Sequence, residues 1–212
     1  MQVITKQIKV FEANELSKNS LDKAKQNYCD NDCVIYDNQC DFVDYCKDKI
    51  YSDYGLSVTP HFDLSYSQGD GLYFDCEDLL SNKVLAIIKK YLNRQEKFIL
   101  KALIEIGFKM YIEHTNTHYC YASKYDVAEN SDDELLYMFK QNHKHSKASE
   151  EMLINTISKV SGIVTDLYMN LCGEYERKGY EMLYYTPTDG EFIDIANEND
   201  WLFLENGNIY QE

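Results

Sequence analysis

The stretch "HFDLSYSQGDGLYFDCED", residues 61–78, leaves the backbone few choices. Phe62, Leu64 and Tyr66 alternate with His61, Asp63 and Ser65, a period of two that suits a strand with one buried side. Residues 56–66 and 72–77 form two such arms around Gln68-Gly69-Asp70-Gly71, which predicts an antiparallel hairpin. Two glycines separated by an aspartate permit positive φ at successive positions, and the aspartate can bond its own backbone, so a tight turn is a sufficient account of the loop. The functional account is that Ser65, Gln68, Gly69, Asp70, Gly71 and Asp75 form a rim that holds a polar ligand or an incoming peptide.

The rest of the chain supplies helices and further strands. "VITKQIKVF" alternates Ile4, Lys6, Ile8 and Val10 as a first strand. Ser17 can cap a helix carrying Leu21, Ala24 and Tyr28, and Phe42, Val43, Cys46, Ile50 and Tyr54 mark a second that ends at Gly55. Ser81 caps a long helical run through residues 82–108, with Lys90, Arg94, Lys97 and Lys101 aligned opposite its apolar residues, an ordinary solvated face. A second hairpin is expected around Thr115-Asn116-Thr117, and then a short helix. From Ser149 to about Tyr180, Met152, Ile157, Val160, Val164, Leu167, Tyr168 and Leu171 mark a long amphipathic helix. The tail reads as a short acidic helix followed by a two-strand flap around Asn206-Gly207, with Trp201 as its core anchor. The expectation is a single α+β domain over residues 1–212: an antiparallel sheet of about five strands packed by several helices, with residues 146–212 as a possible helical C-terminal subdomain.

Charge narrows the function classes. Thirty-six acidic against 21 basic residues leave a net charge of −15, which argues against a nucleic-acid binder working through a basic face. Residues 29–54 hold seven aspartates against two lysines, and from Glu174 onward ten acids face Arg177 and Lys178. Only Lys83–Lys124 reverses the sign. No stretch approaches the roughly 20 apolar residues that span a bilayer, and the first residues lack an apolar signal core, so no membrane association and a cytosolic location are expected. Seven cysteines, an odd number without a secretion signal, read as reduced thiols. Cys29, Cys33, Cys40 and Cys46 lack the paired short spacings of a zinc ribbon, and His114, His118 and Cys120 at the second hairpin are a weak ligand set, so neither metal nor cofactor is expected. His143 and His145 lie in a Lys-rich polar connector.

No phosphate-binding loop, nucleophile elbow, metalloprotease or calcium-loop signature occurs in the sequence, and no cysteine is singled out as an activated nucleophile. The ordered set "VFEANELSKNSLDKAKQNY", "DLSYSQGDGLYFD", "HYCYASKYDV" and the aromatic, acidic segment from Glu174 to Tyr210 resembles a family of phage and prophage proteins. That family has a central S-x-x-Q-G-D-G-x-x-F hairpin motif, and some members carry an antitoxin label. The start of this chain, Phe11 to Ser17, is looser than the family's F-x-E-L-S. The resemblance implies a mobile-element accessory protein in the host bacterial cytosol, with no settled activity.

Three function classes follow from these readings. The first is a non-enzymatic inhibitor of a host defence protein, of the anti-CRISPR kind, which binds a basic nuclease or other nucleic-acid-handling effector through acidic, Tyr-rich surface. Asp41, Asp44 and Asp48 in the second helix and Glu191, Asp194 and Glu198 in the tail are its candidate contacts. Acidity that serves only solubility is the bland counterpart. The second class is an antitoxin covering a basic toxin, and the third a small-ligand binder or enzyme centred on the Gln68–Gly71 loop. Oligomeric state is left open.

Overall fold

The computed structural model describes residues 7–114, 125–130, 133–142 and 150–211. They form a mixed α and β chain that packs as two compact units, Phe42–Gly179 and the pair of segments Met1–Asp41 and Tyr180–Glu212. Among the described residues there are seven α-helices and two separate two-stranded antiparallel sheets.

In the unit made of both chain ends, Ser17 caps α1 (Lys18–Cys29), its hydroxyl accepting from the Ser20 amide as the sequence predicts. Thr188 and Glu191 form a reciprocal capping box at the start of α7 (Asp189–Glu198). Leu21 and Ala24 of α1, Phe192 and Ala196 of α7, Ala13 and Phe203 make the core, with Leu16, Tyr28, Ile193 and Trp201 packed against it. Trp201 stands 5.9 Å from the Tyr28 ring and anchors the tail. The expected first strand is not formed over residues 7–10, and Val3–Lys6 lie outside the described residues. Phe11 instead makes one reciprocal bridge with Phe203, through hydrogen bonds of 2.9 and 2.8 Å, and Phe203 bridges Ile209. The expected tail flap is thus a tight turn with a single bridge, pinned by Gly207 at φ +81°.

The other unit is built on the long helices. The second helix, α2 (Asp32–Tyr54), begins ten residues earlier than its apolar stripe, and its residues from Phe42 onward belong to this unit. Phe42, Cys46 and Ile50 recur every fourth residue and are fully buried. Gly55, at φ +66°, ends the helix. The hairpin forms as predicted, β1 (Thr59–Asp63) against β2 (Gly71–Asp75), with Asp63 opposite Gly71 and Thr59 opposite Asp75. The sequence run expected as one helix over 82–108 is broken into α3 (Asn82–Ile88) and α4 (Arg94–Glu105), because Asn93 and Glu96 form a second capping box that restarts the helix. The second hairpin is β3 (Met110–His114) with β4 (Tyr125–Glu129); its expected turn lies outside the described residues. Then follow α5 (Asp133–Asn142) and the 34-residue α6 (Glu150–Leu183), the long amphipathic helix.

The five-stranded sheet is corrected to two hairpins, and for β1–β2 hydrogen-bonding chemistry at the strand edges gives the reason. The Tyr168 hydroxyl, on α6, accepts from the Phe74 amide and donates to the Phe74 carbonyl, both at 3.1 Å. These are the groups on the free edge of β2 that a third strand would need. Phe74 lies opposite Pro60, which offers no N–H on the far side of β1. Each edge of the hairpin thus lacks a position a further strand requires.

Candidate functional site

The acidic face of α2 follows from the same periodicity that buries its other side. With 3.6 residues per turn, burial of Phe42, Cys46 and Ile50 forces Asp41, Asp44 and Asp48 outward, and all three are exposed. Asp37 extends the line at a further four-residue step and is also exposed. The four aspartates span about 16 Å of helix at 1.5 Å per residue. None of them is in an ion pair with a described residue, whereas Asp53 on another side of the helix is 3.2 Å from Lys49. Tyr36, Tyr45 and Tyr51 of α2 are 65, 36 and 66 % exposed.

In the tail, Glu191, Asp194 and Glu198 are likewise exposed and share one face of α7. Glu191 is already engaged: its carboxylate accepts from the Thr188 amide at 2.7 Å. Bonds from Thr188 and then Tyr185 hold its carboxyl below the usual range. Beside it, Asp189 accepts from Lys18 at 2.7 Å and Lys25 at 2.9 Å. Of the three, Asp194 and Glu198 are in no ion pair with a described residue.

The Gln68–Gly71 loop is organised inward. Asp70 Oδ2 accepts from the amides of Ser65 (2.7 Å) and Ser67 (3.0 Å), while Oδ1 accepts from their hydroxyls at 3.1 and 2.6 Å. One carboxylate thereby gathers four donors of the loop, beside the 3.3 Å backbone bond from the Asp70 amide to the Ser67 carbonyl. Gly69 takes φ +111°, as a tight loop needs, but the second positive φ falls on Tyr66 at +57°, and Gly71 enters β2 instead. Tyr66 consequently leaves the strand face predicted for it and is 71 % exposed, while Leu64 stays buried. Gln68 is exposed at the tip. Burial, and next the charge of Asp70, push the Glu176 carboxyl of α6 up.

Asp75 does not join that loop. The register sets it at the opposite end of β2, about 13 Å away at 3.3 Å per residue. There its carboxylate meets His61 Nε2 at 3.1 Å, and the His61 ring stacks on Tyr73 at 4.6 Å. Asp75 also lines an open cleft of about 890 Å³ with Ser57, Thr59, Cys76, Glu77 and Tyr111.

The described thiols carry no cluster. Cys29, Cys33, Cys40, Cys46, Cys76 and Cys172 are all free, and no group of three or more His, Cys, Asp or Glu able to hold a metal occurs among the described residues. Burial pushes the Cys46 thiol up to about 12 and Cys172 to about 11, which keeps both protonated and unreactive. His118, Cys120, His143 and His145 lie outside the described residues. No described helix is long and apolar enough to cross a membrane.

No family model, curated protein or solved structure matches this chain. Function is therefore read from the surface. The sequence reading missed Tyr168, whose place in the apolar stripe of α6 hides a polar task, and Asp37, which the four-three-four spacing of aspartates could have revealed.

Proposed function

We propose that this chain is a phage or mobile-element accessory protein that inhibits a host defence protein by binding it, with the acidic face of α2 occupying a basic surface where that protein handles nucleic acid. The observation that carries the reading is the line of exposed aspartates, Asp37, Asp41, Asp44 and Asp48, none in an ion pair with a described residue. Successive carboxylates about one helical turn apart along α2 make a linear array of negative charge, and the Lys and Arg side chains that neutralise phosphates accept carboxylates by the same physics. Exposed Tyr36, Tyr45 and Tyr51 add contact area at low entropic cost. Asp194 and Glu198 of α7 form a second acidic contact patch. The proposed action is occupancy of the partner, with no covalent step.

The test starts from the partner. A tagged pull-down from the host, with mass spectrometry of what is retained, identifies it, and competition with its DNA or RNA is then measured as salt is raised. Reversal of Asp41, Asp44 and Asp48 to Lys slows association about tenfold or more while helix content is unchanged, because exposed charge steers encounter. Inhibition that survives both high salt and the triple reversal refutes charge mimicry and leaves the acidity to solubility. Retention of a small basic RNase encoded beside this protein assigns the antitoxin role instead.

A further inference from the structure

The face of α4 opposite its core repeats the pattern of the acidic face of α2 with the charges inverted. Ile99, Leu100, Ala102 and Leu103 are buried, which turns Arg94, Lys97, Phe98 and Lys101 outward. Phe98 is 53 % exposed. Arg94 and Lys97 are in no ion pair with a described residue, and Lys101 is only loosely held, 3.8 Å from Glu105. The order is cation, cation three residues on, aromatic at the next, cation three after that. In α2, Asp41, Asp44, Tyr45 and Asp48 have the same four offsets. Both segments are helical throughout, so equal offsets mean equal spacing along and around the two helices.

We propose that the Arg94–Lys101 face of α4 is a docking surface for a second copy of this chain, whose Asp41–Asp48 face of α2 it complements. Laid side by side in opposite directions, the two helices set Asp41 against Lys101, Asp44 against Lys97 and Asp48 against Arg94, and bring Tyr45 against Phe98. The basic face of a strongly acidic protein thereby acquires a partner. Exposed ion pairs are individually weak, so three of them with one aromatic contact make a reversible association and not an obligate dimer. The inference uses the same aspartates as the proposed host docking, so self-association and host binding compete. It is measured on the purified chain alone, and its failure leaves the host-binding reading untouched.

Sedimentation of the purified protein over a concentration series tests it. At about 0.1 M salt, where screening over about 10 Å suppresses the mutual repulsion of two acidic molecules, the wild type associates; at about 1 M the association weakens about tenfold or more. Arg94→Glu with Lys97→Glu and Lys101→Glu gives a monomer, as does Asp41→Lys with Asp44→Lys and Asp48→Lys. An equimolar mixture of the two variants associates again, because the lysines on α2 of one meet the glutamates on α4 of the other. Circular dichroism checks folding, and if a triple variant does not fold, Lys97→Glu and Asp44→Lys singly and mixed supply the same comparison. A wild type that stays monomeric at its highest soluble concentration, or a mixture that fails to associate, overturns the proposal. So does a wild type that shows no self-association while this face retains an RNA oligonucleotide.

Discussion

Replacing Gly207 with alanine tests the packing of the tail turn most sharply. At φ +81° an L-residue carries roughly 1–2 kcal/mol of strain before any contact is considered. Its Cβ would also stand 2.2 Å from the backbone oxygen of Ser20, 3.1 Å from the Ser20 carbonyl carbon and 3.3 Å from the Ala24 amide nitrogen. These atoms belong to α1, where backbone cannot give way as a side-chain tip would, so the turn itself must withdraw by about 1 Å. Withdrawal weakens the 2.9 Å bond from the Gly207 amide to Leu204 and the 2.7 Å bond from the Ser20 hydroxyl to the Glu205 carbonyl. At about 1 kcal/mol for each, the expected loss is about 3–4 kcal/mol. With a urea slope of about 2 kcal/mol/M, the midpoint falls by about 1.5–2 M. Trp201, the single tryptophan, packs in the same unit and reports the transition by fluorescence. Gly190→Ala is the control: it lies in α7 with nothing within 4 Å of an added Cβ, and should gain about 0.5–1 kcal/mol. A Gly207→Ala midpoint within about 0.5 M of wild type refutes the reasoning, since neither strain nor contact would then be felt.

Other outcomes follow from single bonds and titrations. Tyr168→Phe leaves the buried Phe74 amide and carbonyl without their hydroxyl and costs about 2–3 kcal/mol in urea unfolding. Asp70→Ala removes the acceptor of four loop hydrogen bonds and lowers the melting temperature by several degrees; stability unchanged with host inhibition abolished would show the loop to be a binding site. Lys18 and then Lys25 hold the folded Asp189 carboxyl below its unfolded value, so its contribution is complete above about pH 4 and is lost as pH falls through the folded value. Asp189→Asn therefore flattens the acid limb of a stability-against-pH curve. Thiol reagents modify exposed Cys33 and Cys40 in the folded protein within minutes but reach buried Cys46 and Cys172 only on unfolding.

Several elements are legible in the sequence because their signals are local. Ser17 caps α1, the alternation around Gln68–Gly71 makes a hairpin, and the spacing from Met152 to Leu171 makes α6, each decided by residues close to one another along the chain. The candidate acids of α2 were legible for the same reason, since burial of Phe42, Cys46 and Ile50 dictates where their neighbours point. The break between α3 and α4 was legible in principle, as Asn93-x-x-Glu96 is a capping box, but the continuous apolar periodicity across it concealed the restart.

What the sequence by itself determined is most of the helices, the two hairpins and the separation of acidic from apolar faces, all consequences of residue spacing against a fixed helical or strand repeat. Only the tertiary structure decided how far the first sheet extends and why residue 207 must be glycine, while local bonds decided which carboxylates remain available. The hairpin stays two-stranded because a tyrosine 94 residues away takes the edge groups of Phe74. Asp70 and Glu191 are drawn into loop and cap bonds while Asp41, Asp44 and Asp48 are left to solvent, although composition treats them alike. Gly207 is required by the carbonyl of Ser20, far from it in sequence. For Phe74 and Gly207 the deciding atom is distant along the chain, and folding alone brings it within the few ångströms over which hydrogen bonds and steric contact act, whereas the partners of Asp70 and Glu191 lie three to five residues away.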